Sequence, residues 1–201
     1  MANQDGRDAS IDHLVDRFVA AVNAGEHDPV DVDFGEGGQS ILVGEPDQYG
    51  CYDWAIKPYA GIDWIEPIEK QLGRQLPIIY RSLMTRYIFP NFDAGQVLFF
   101  GNTPEGTQHY EYRARVFCDP YLYPTLLRSR FLQIGLPADG SYDPVCFAPC
   151  ADSEEDTPLV RLDHEWILCN GLVEVVGEIA PSLRHLMLSV IEDPHPGPRP
   201  G

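Results

Sequence analysis

The segment Leu162-Asp163-His164-Glu165 places a histidine between two carboxylates. An imidazole oriented by Asp163 or Glu165 could act as a general base, because its pKa lies near neutral pH. Nucleophilic catalysis would also need an activated serine or cysteine, and the sequence contains no Gly-x-Ser-x-Gly motif and no phosphate-binding loop. We therefore interpret His164 as a structural residue and predict no catalytic residue. A hydrolase that uses His164 with Asp163 is the enzyme alternative.

Cys146 and Cys150 are the only pair of cysteines whose spacing approaches that of metal ligands. No second pair accompanies them, so a zinc site is not predicted. The five cysteines are an odd number spread over more than half of the chain, which favours reduced thiols over a disulfide framework. The sequence therefore predicts neither a metal nor a cofactor.

Four acidic residues are concentrated in the segment Asp152-Ser153-Glu154-Glu155-Asp156. The segment is either a solvated loop or a docking surface for a basic partner. On the second interpretation, the predicted partner-binding residues are Tyr142, Glu154, Glu155 and Asp156.

Charge restricts the classes of partner. The chain of 201 residues carries 31 acidic and 14 basic side chains, a formal net charge of −17. Such a charge repels nucleic acid phosphates and anionic lipid, so we expect neither as a direct partner. The same charge promotes solubility and could steer a basic protein toward the chain.

The length and the 44% of hydrophobic residues fit one domain with a sizeable core. We predict a flexible segment over residues 1–10, a single domain over 11–192 that includes an amino-terminal helical extension, and a disordered tail over 193–201. The first ten residues have no apolar core, and no stretch of about 18 apolar residues occurs. A cytoplasmic location is the expectation.

Helical periodicity is clearest near the two ends of the chain. Apolar residues between Ile11 and Val22 recur at helical spacing, with Ser10 as the N-cap and Gly25 as the stop. Two further helices, about Asp63–Leu72 and Pro77–Arg86, form a helix hairpin. A last helix opens at Pro181-Ser182. The segment Tyr121–Arg130 stays ambiguous, although Pro124 would suit a short helix.

Short strands occupy most of the middle of the chain. They are predicted from β-branched and aromatic residues bounded by turn residues, at Tyr87–Phe89, Val97–Phe100, Tyr110–Arg113, Phe131–Ile134, Val145–Phe147 and Pro158–Leu162. Asn170-Gly171 is typical of a hairpin turn and would join strands at Trp166–Cys169 and Leu172–Val176. Glu26–Gly50 reads as a surface connection. Trp64 and Trp166 are predicted as core anchors, whereas the place of Trp54 stays open. The whole pattern predicts an α+β fold, mainly an antiparallel sheet with helices packed on one face.

Several motifs in this order resemble the SUKH superfamily, which includes the Smi/Knr regulators of cell-wall synthesis and many bacterial immunity proteins. The stretch Ile65-Glu66 to Leu72-Gly73 and then Leu76-Pro77-x-x-Tyr80 resembles its opening helix pair. Strand motifs similar to the family's follow, and Pro181-Ser182-Leu183 resembles the start of its final helix. These strand motifs are Ile134-Gly135, Gly140 to Phe147 and Val160 to Glu165. The resemblance covers about Gly61 to Ile191; residues 1–60 and 101–130 match nothing diagnostic.

The resemblance implies a SUKH-like α+β protein without enzymatic activity that binds another protein. Bacterial members commonly neutralise a cognate toxin, often a nuclease, in the cytoplasm. Such a toxin needs a basic working face, which an acidic chain would complement. The leading hypothesis is therefore an immunity-type protein for a basic toxin domain. A SUKH-type adaptor for an endogenous cell-envelope or signalling protein is the alternative.

Overall fold

The computed structural model describes residues 9–31, 38–59, 65–103, 119–149 and 157–193. Its helices are α1 Ala9–Ala24, α2 Ile65–Leu72, α3 Ile78–Arg86, α4 Leu122–Arg128, α5 His164–Asn170 and α6 Leu183–Glu192. Its strands are β1 Val30–Asp31, β2 Leu42–Val43, β3 Cys51–Trp54, β4 Lys57–Pro58, β5 Tyr87–Ile88, β6 Phe92–Asp93, β7 Val97–Phe99, β8 Leu132–Pro137, β9 Val145–Phe147, β10 Leu159–Leu162 and β11 Val175–Ala180. None of the described helices is long and apolar enough to span a membrane.

A six-stranded antiparallel sheet forms the centre of the fold. Its strand order is β11-β10-β9-β8-β7-β6, so each strand pairs with its neighbour in the chain. Two smaller antiparallel sheets, β1-β3-β2 and β4-β5, accompany it. The predicted α+β fold with a mainly antiparallel sheet is confirmed.

The long amphipathic helices cover one face of this sheet. The apolar positions of α1 are all buried, as their spacing predicts, and they join those of α3 and α6 in the main core. From the sheet, Ile134, Val145 and Phe147 enter the same core. Because α1 lies inside this core, it is an integral layer of the domain.

A second, smaller layer lies against the opposite face. Side chains alternate across a strand, so Cys146 points away from the face that holds Val145 and Phe147. Cys146 packs in a separate cluster with Leu126 of α4 and Ile167 of α5. The two short helices therefore extend the predicted one-sided arrangement with partial cover on the other face.

The prediction of a hairpin around Asn170-Gly171 is wrong. Residues His164–Asn170 form α5, and Gly171 follows with φ +62° as the left-handed residue that ends it. The same Asn-Gly signal suits a hairpin turn and a helix end, because both need a positive φ. The helix start is set by Asp163, whose Oδ1 accepts the Trp166 N–H at 2.7 Å.

Most other predicted elements lie within two residues of their predicted ends. Tyr121–Arg130 contains the helix α4, and Gly25 follows the end of α1. Two predicted starts are wrong: α1 already begins at Ala9, before Ser10, and Pro77 is the N-cap of α3 rather than its first helical residue. The predicted strand Tyr110–Arg113, Asp63 and Trp64 lie outside the described residues.

The prediction that Trp166 is a core anchor is wrong, and Trp54, whose place was left open, is buried. Trp54 is only 8% exposed and Trp166 is 43% exposed. Trp54 packs at the edge of the main core, its ring 4.4 Å from that of His27, and its Nε1 donates to the Asp28 carbonyl at 3.1 Å. Where burial is described in the connection Glu26–Gly50, at residues 26–30 and 40–50, most residues are exposed, as predicted, but Ile41 is buried. The connection also contains β1, β2 and a short 3₁₀ helix, Gly38–Ile41.

Gly135 marks a close approach of two strands. A Cβ at this position would lie 2.2 Å from the Leu98 carbonyl oxygen of β7, whereas a Cβ at Gly177 of β11 would meet nothing within 4 Å. We expect Gly135→Ala to lower the free energy of unfolding by about 1–3 kcal/mol and Gly177→Ala to leave it nearly unchanged. Urea denaturation of both variants tests this; equal effects would contradict the close approach.

Candidate functional site

Asp143 connects β10, α5 and the turn before β9. Its side chain is mostly buried; Oδ2 accepts from Nε of Arg161 at 2.6 Å, and Oδ1 lies 2.7 Å from Nδ1 of His164. The His164 backbone N–H also donates to Oδ1 at 3.1 Å. Arg161 reaches onward to Asp139 at 2.8 Å. One carboxylate therefore fixes where α5 begins relative to the sheet.

The electrostatics of Asp143 follow from these contacts. Burial acts to raise the pKa of the carboxyl, but hydrogen bonds from His164 and Arg161 together with the Arg161 charge outweigh it, and the pKa lies below its usual value. The hydrogen bond with Asp143 in turn raises the pKa of Arg161. The pair is therefore charged at neutral pH, as a buried ion pair with satisfied hydrogen bonds must be.

His164 does not have the partners that the sequence analysis considered for a general base. Asp143 holds its ring, whereas Asp163 caps α5 and Glu165 is exposed. A histidine whose Nδ1 donates to a carboxylate leaves Nε2 able to accept a proton. Among the described residues, however, no serine, threonine or cysteine bonds to His164, and its polar contacts are both with Asp143. The geometry fits a residue that orders the start of α5.

Exposed apolar side chains are concentrated just beyond this ion pair. Of nine large hydrophobic residues that are exposed in the described part of the chain, five lie between residues 166 and 176. We call these five the 166–176 surface: Trp166, Leu168, Leu172, Val175 and Val176. Tyr142, 73% exposed, adjoins them through its ring contact with His164 at 6.2 Å. Contiguous exposed apolar area is typical of interaction sites, so the five residues, which lie within eleven positions of the chain, form the candidate surface.

β11 lies at the edge of the main sheet within the described structure, and its pairing with β10 is irregular. Val175 pairs with Leu162 and Gly177 with Arg161, so Val176 is an extra residue in the ladder; Ile179 is a second one. Such bulges discourage strand addition at an edge. Val175 and Val176 are both about half exposed, so side chains rather than backbone groups are what this edge offers to a partner.

The charged side chains nearest in sequence to the 166–176 surface are all acidic. No lysine or arginine occurs between Leu162 and Leu183, while this stretch contains Asp163, Glu165, Glu174 and Glu178. Glu165, Glu174 and Glu178 are exposed. The surface therefore combines apolar groups with an acidic surround, which fits a partner that is apolar and basic.

The predicted partner-binding residues are not brought together by the described structure. Tyr142 is exposed, but Glu154, Glu155 and Asp156 lie outside the described residues. The residues that flank the acidic run, Ala148 and Thr157, adjoin the Phe147–Leu159 end of β9 and β10. Tyr142 precedes the opposite end. Sequence reasoning missed Asp143 and Arg161, since cross-strand ion pairs have no fixed sequence spacing. It also missed the exposed apolar residues after Trp166.

The cysteine pair whose spacing approaches that of metal ligands, for which no zinc site was predicted, is only half described. Cys146 is fully buried, and burial raises the pKa of its thiol well above the usual value. Cys150 lies outside the described residues. Across the described ranges, no group of three or more histidine, cysteine or acidic side chains could hold a metal ion.

Comparison with known proteins finds no family model, no curated protein and no solved structure that matches this chain. The resemblance to the SUKH superfamily therefore stays a prediction.

Asp143 gives a testable link between pH and stability. We expect Asp143→Asn to lower the free energy of unfolding at pH 7 by about 1–3 kcal/mol, because hydrogen bonds to a charged group are lost. The folded pKa is below the unfolded value of about 3.9, so this contribution is present above that value and disappears as the pH falls through the folded pKa. Urea denaturation at pH 7 and pH 3 measures it. Glu178→Gln is the exposed control, and an equal loss at both pH values would show that charge is not the cause.

Proposed function

We propose that this chain is a non-enzymatic protein-binding module of the immunity type, which neutralises a basic toxin domain by covering it. The observation that carries the proposal is the 166–176 surface with Tyr142, an exposed apolar area inside an acidic surround. The resemblance to SUKH immunity proteins supports the same class of partner. No residue of this chain acts in chemistry under the proposal.

Two physical effects would contribute to binding: charge attraction and the burial of apolar side chains. The net charge of −17 steers a basic partner toward the chain. Burial of tryptophan, tyrosine and leucine side chains supplies most of the binding free energy, because a few large residues dominate protein interfaces. A toxin whose active site must attract phosphate presents a basic surface that both effects can use.

Tyr142 and Trp166 are the largest exposed side chains of the proposed interface. We expect Tyr142→Ala and Trp166→Ala each to weaken binding of the toxin domain by about tenfold or more, as interface anchors do. The partner is recovered from the native host with the tagged protein, and its isolated domain is titrated by calorimetry. Tyr49→Ala is the matched control, since Tyr49 is 80% exposed at the β2–β3 connection. Equal weakening by all three variants would contradict the proposed surface.

The charge attraction makes the association rate depend on salt concentration. Association of a basic toxin domain should slow as ionic strength rises from about 0.05 to 0.5 M, because screening shortens the range of charge attraction. Stopped-flow measurement of the association rate tests this. An envelope or signalling protein that is recovered equally at both salt concentrations would instead favour the SUKH-type adaptor.

A further inference from the structure

Basic residues are segregated from acidic ones in two stretches of the chain. Residues 70–92 and 120–138 contain none of the 31 acidic side chains and six of the 14 basic ones. These six are Lys70, Arg74, Arg81, Arg86, Arg128 and Arg130. In a chain with a net charge of −17, such segregation creates a local surface of opposite sign.

Two of the six are held by carboxylates from elsewhere. Arg81 pairs with Glu69 at 3.0 Å, and Arg86 pairs with Asp16 at 2.6 Å and with Asp12 at 3.3 Å. These pairs tie α2 to α3 and α1 to α3. They account for Arg81 and Arg86 as structural residues.

The other four meet where α2 and α4 end. Nη2 of Arg74 donates to the Arg130 carbonyl at 3.0 Å, which joins the two stretches. Leu72 and Phe131 line one shallow crevice between them. We call Lys70, Arg74, Arg128 and Arg130 the basic face.

Three members of the basic face are exposed and pair with no carboxylate among the described residues. In the described ranges, no carboxylate lies within ion-pair distance of Lys70, Arg128 or Arg130. The helix dipole explains a cation in the last turn of α2 and of α4. It does not explain Arg74 and Arg130, which lie beyond those helix ends.

We propose that the basic face binds a short acidic segment of a protein partner, independently of the 166–176 surface. Arginine side chains pair with carboxylates through parallel hydrogen bonds. The crevice beside them, lined by Leu72, Tyr123, Leu127 and Phe131, has a volume of only about 10 Å³, so charge pairing rather than apolar burial would hold the segment.

The size of the basic face selects the occupant. A nucleic acid strand carries charge along its whole length, so it would extend past four cations onto the acidic remainder of the surface. A second copy of the chain brings the same net charge of −17. A segment of a few acidic residues matches the cations and ends where they end.

The chain's own acidic run is the competing occupant. Leu132 of β8 pairs with Phe147 of β9, and the Ala148 N–H donates to the Pro158 carbonyl at 2.9 Å. Ala148 and Pro158, which lie on either side of residues 152–156 in the chain, are therefore close to the start of β8. β8 begins at Leu132, two residues after Arg130. The experiment must separate this run from an acidic segment of another protein.

The probe is a labelled peptide of sequence Asp-Ser-Glu-Glu-Asp, titrated with the full chain by fluorescence anisotropy at low ionic strength. We expect binding that Arg128→Gln/Arg130→Gln weakens by about tenfold or more, and no binding of the amide peptide Asn-Ser-Gln-Gln-Asn. The control Arg17→Gln/Lys57→Gln changes the net charge equally and should keep the affinity.

Each other outcome overturns the proposal. Equal weakening by the control pair would show an effect of net charge alone. Equally tight binding of a single-stranded oligonucleotide would show that the site does not select short acidic segments. Binding that appears only after Asp152→Asn, Glu154→Gln, Glu155→Gln and Asp156→Asn would assign the basic face to the chain's own run. If neither the native chain nor the chain with these four neutralised acids binds the peptide, the basic face does not bind short acidic segments.

Discussion

The main core depends on the contacts that the ring of Phe92 makes with four other aromatic rings. The Phe92 ring stacks on Phe99 at 5.1 Å, meets Phe89 edge-on at 5.3 Å, and lies 6.2 Å from Phe18 and 6.4 Å from Trp54. These residues come from α1, β3 and the β5–β7 region, so one side chain joins the helical layer, the small amino-terminal sheet and the main sheet. Aromatic pairs of this geometry add to the free energy of burial. The helices α1, α3 and α6 all pack against this face of the main sheet.

The opposite face is left to two short helices, and this determines where apolar side chains stay exposed. A helix of seven residues is not stable alone, so α5 is held from outside: Asp163 caps its start, Asp143 binds the His164 N–H, and Gly171 ends it. α5 buries Ile167 in the small cluster. Its other apolar residues, Trp166 and Leu168, remain exposed.

Periodicity and turn signals predicted the elements that are long or strongly patterned. The stripe from Ile11 to Val22, the helix after Ser182 and the strand Val145–Phe147 needed only local information. The segment 166–176 could not be predicted in this way, since Asn170-Gly171 fits two structures and the deciding contact is made by Asp143, some twenty residues earlier. Likewise Trp54 is buried by Phe92 and His27, which are distant in sequence. For the candidate site, Tyr142 was predicted from its neighbourhood, whereas the ion pair of Asp143 with Arg161 was not.

An acidic chain can keep a basic face only if its carboxylates are directed elsewhere. Glu69 shows how: its Oε1 accepts both Nε of Arg81 and the Leu76 N–H at 3.0 Å, so it is committed to the α2–α3 connection. Asp12 and Asp16 are committed in the same way to Arg86 on α3. Glu69, Asp12 and Asp16 thus act as structural bonds, and they do not neutralise Lys70 or Arg130. At the 166–176 surface the reverse holds, because among the described residues no ion pair is made by Glu165, Glu174 or Glu178. The fold therefore presents two surfaces of opposite charge, each of which excludes the partner that the other attracts.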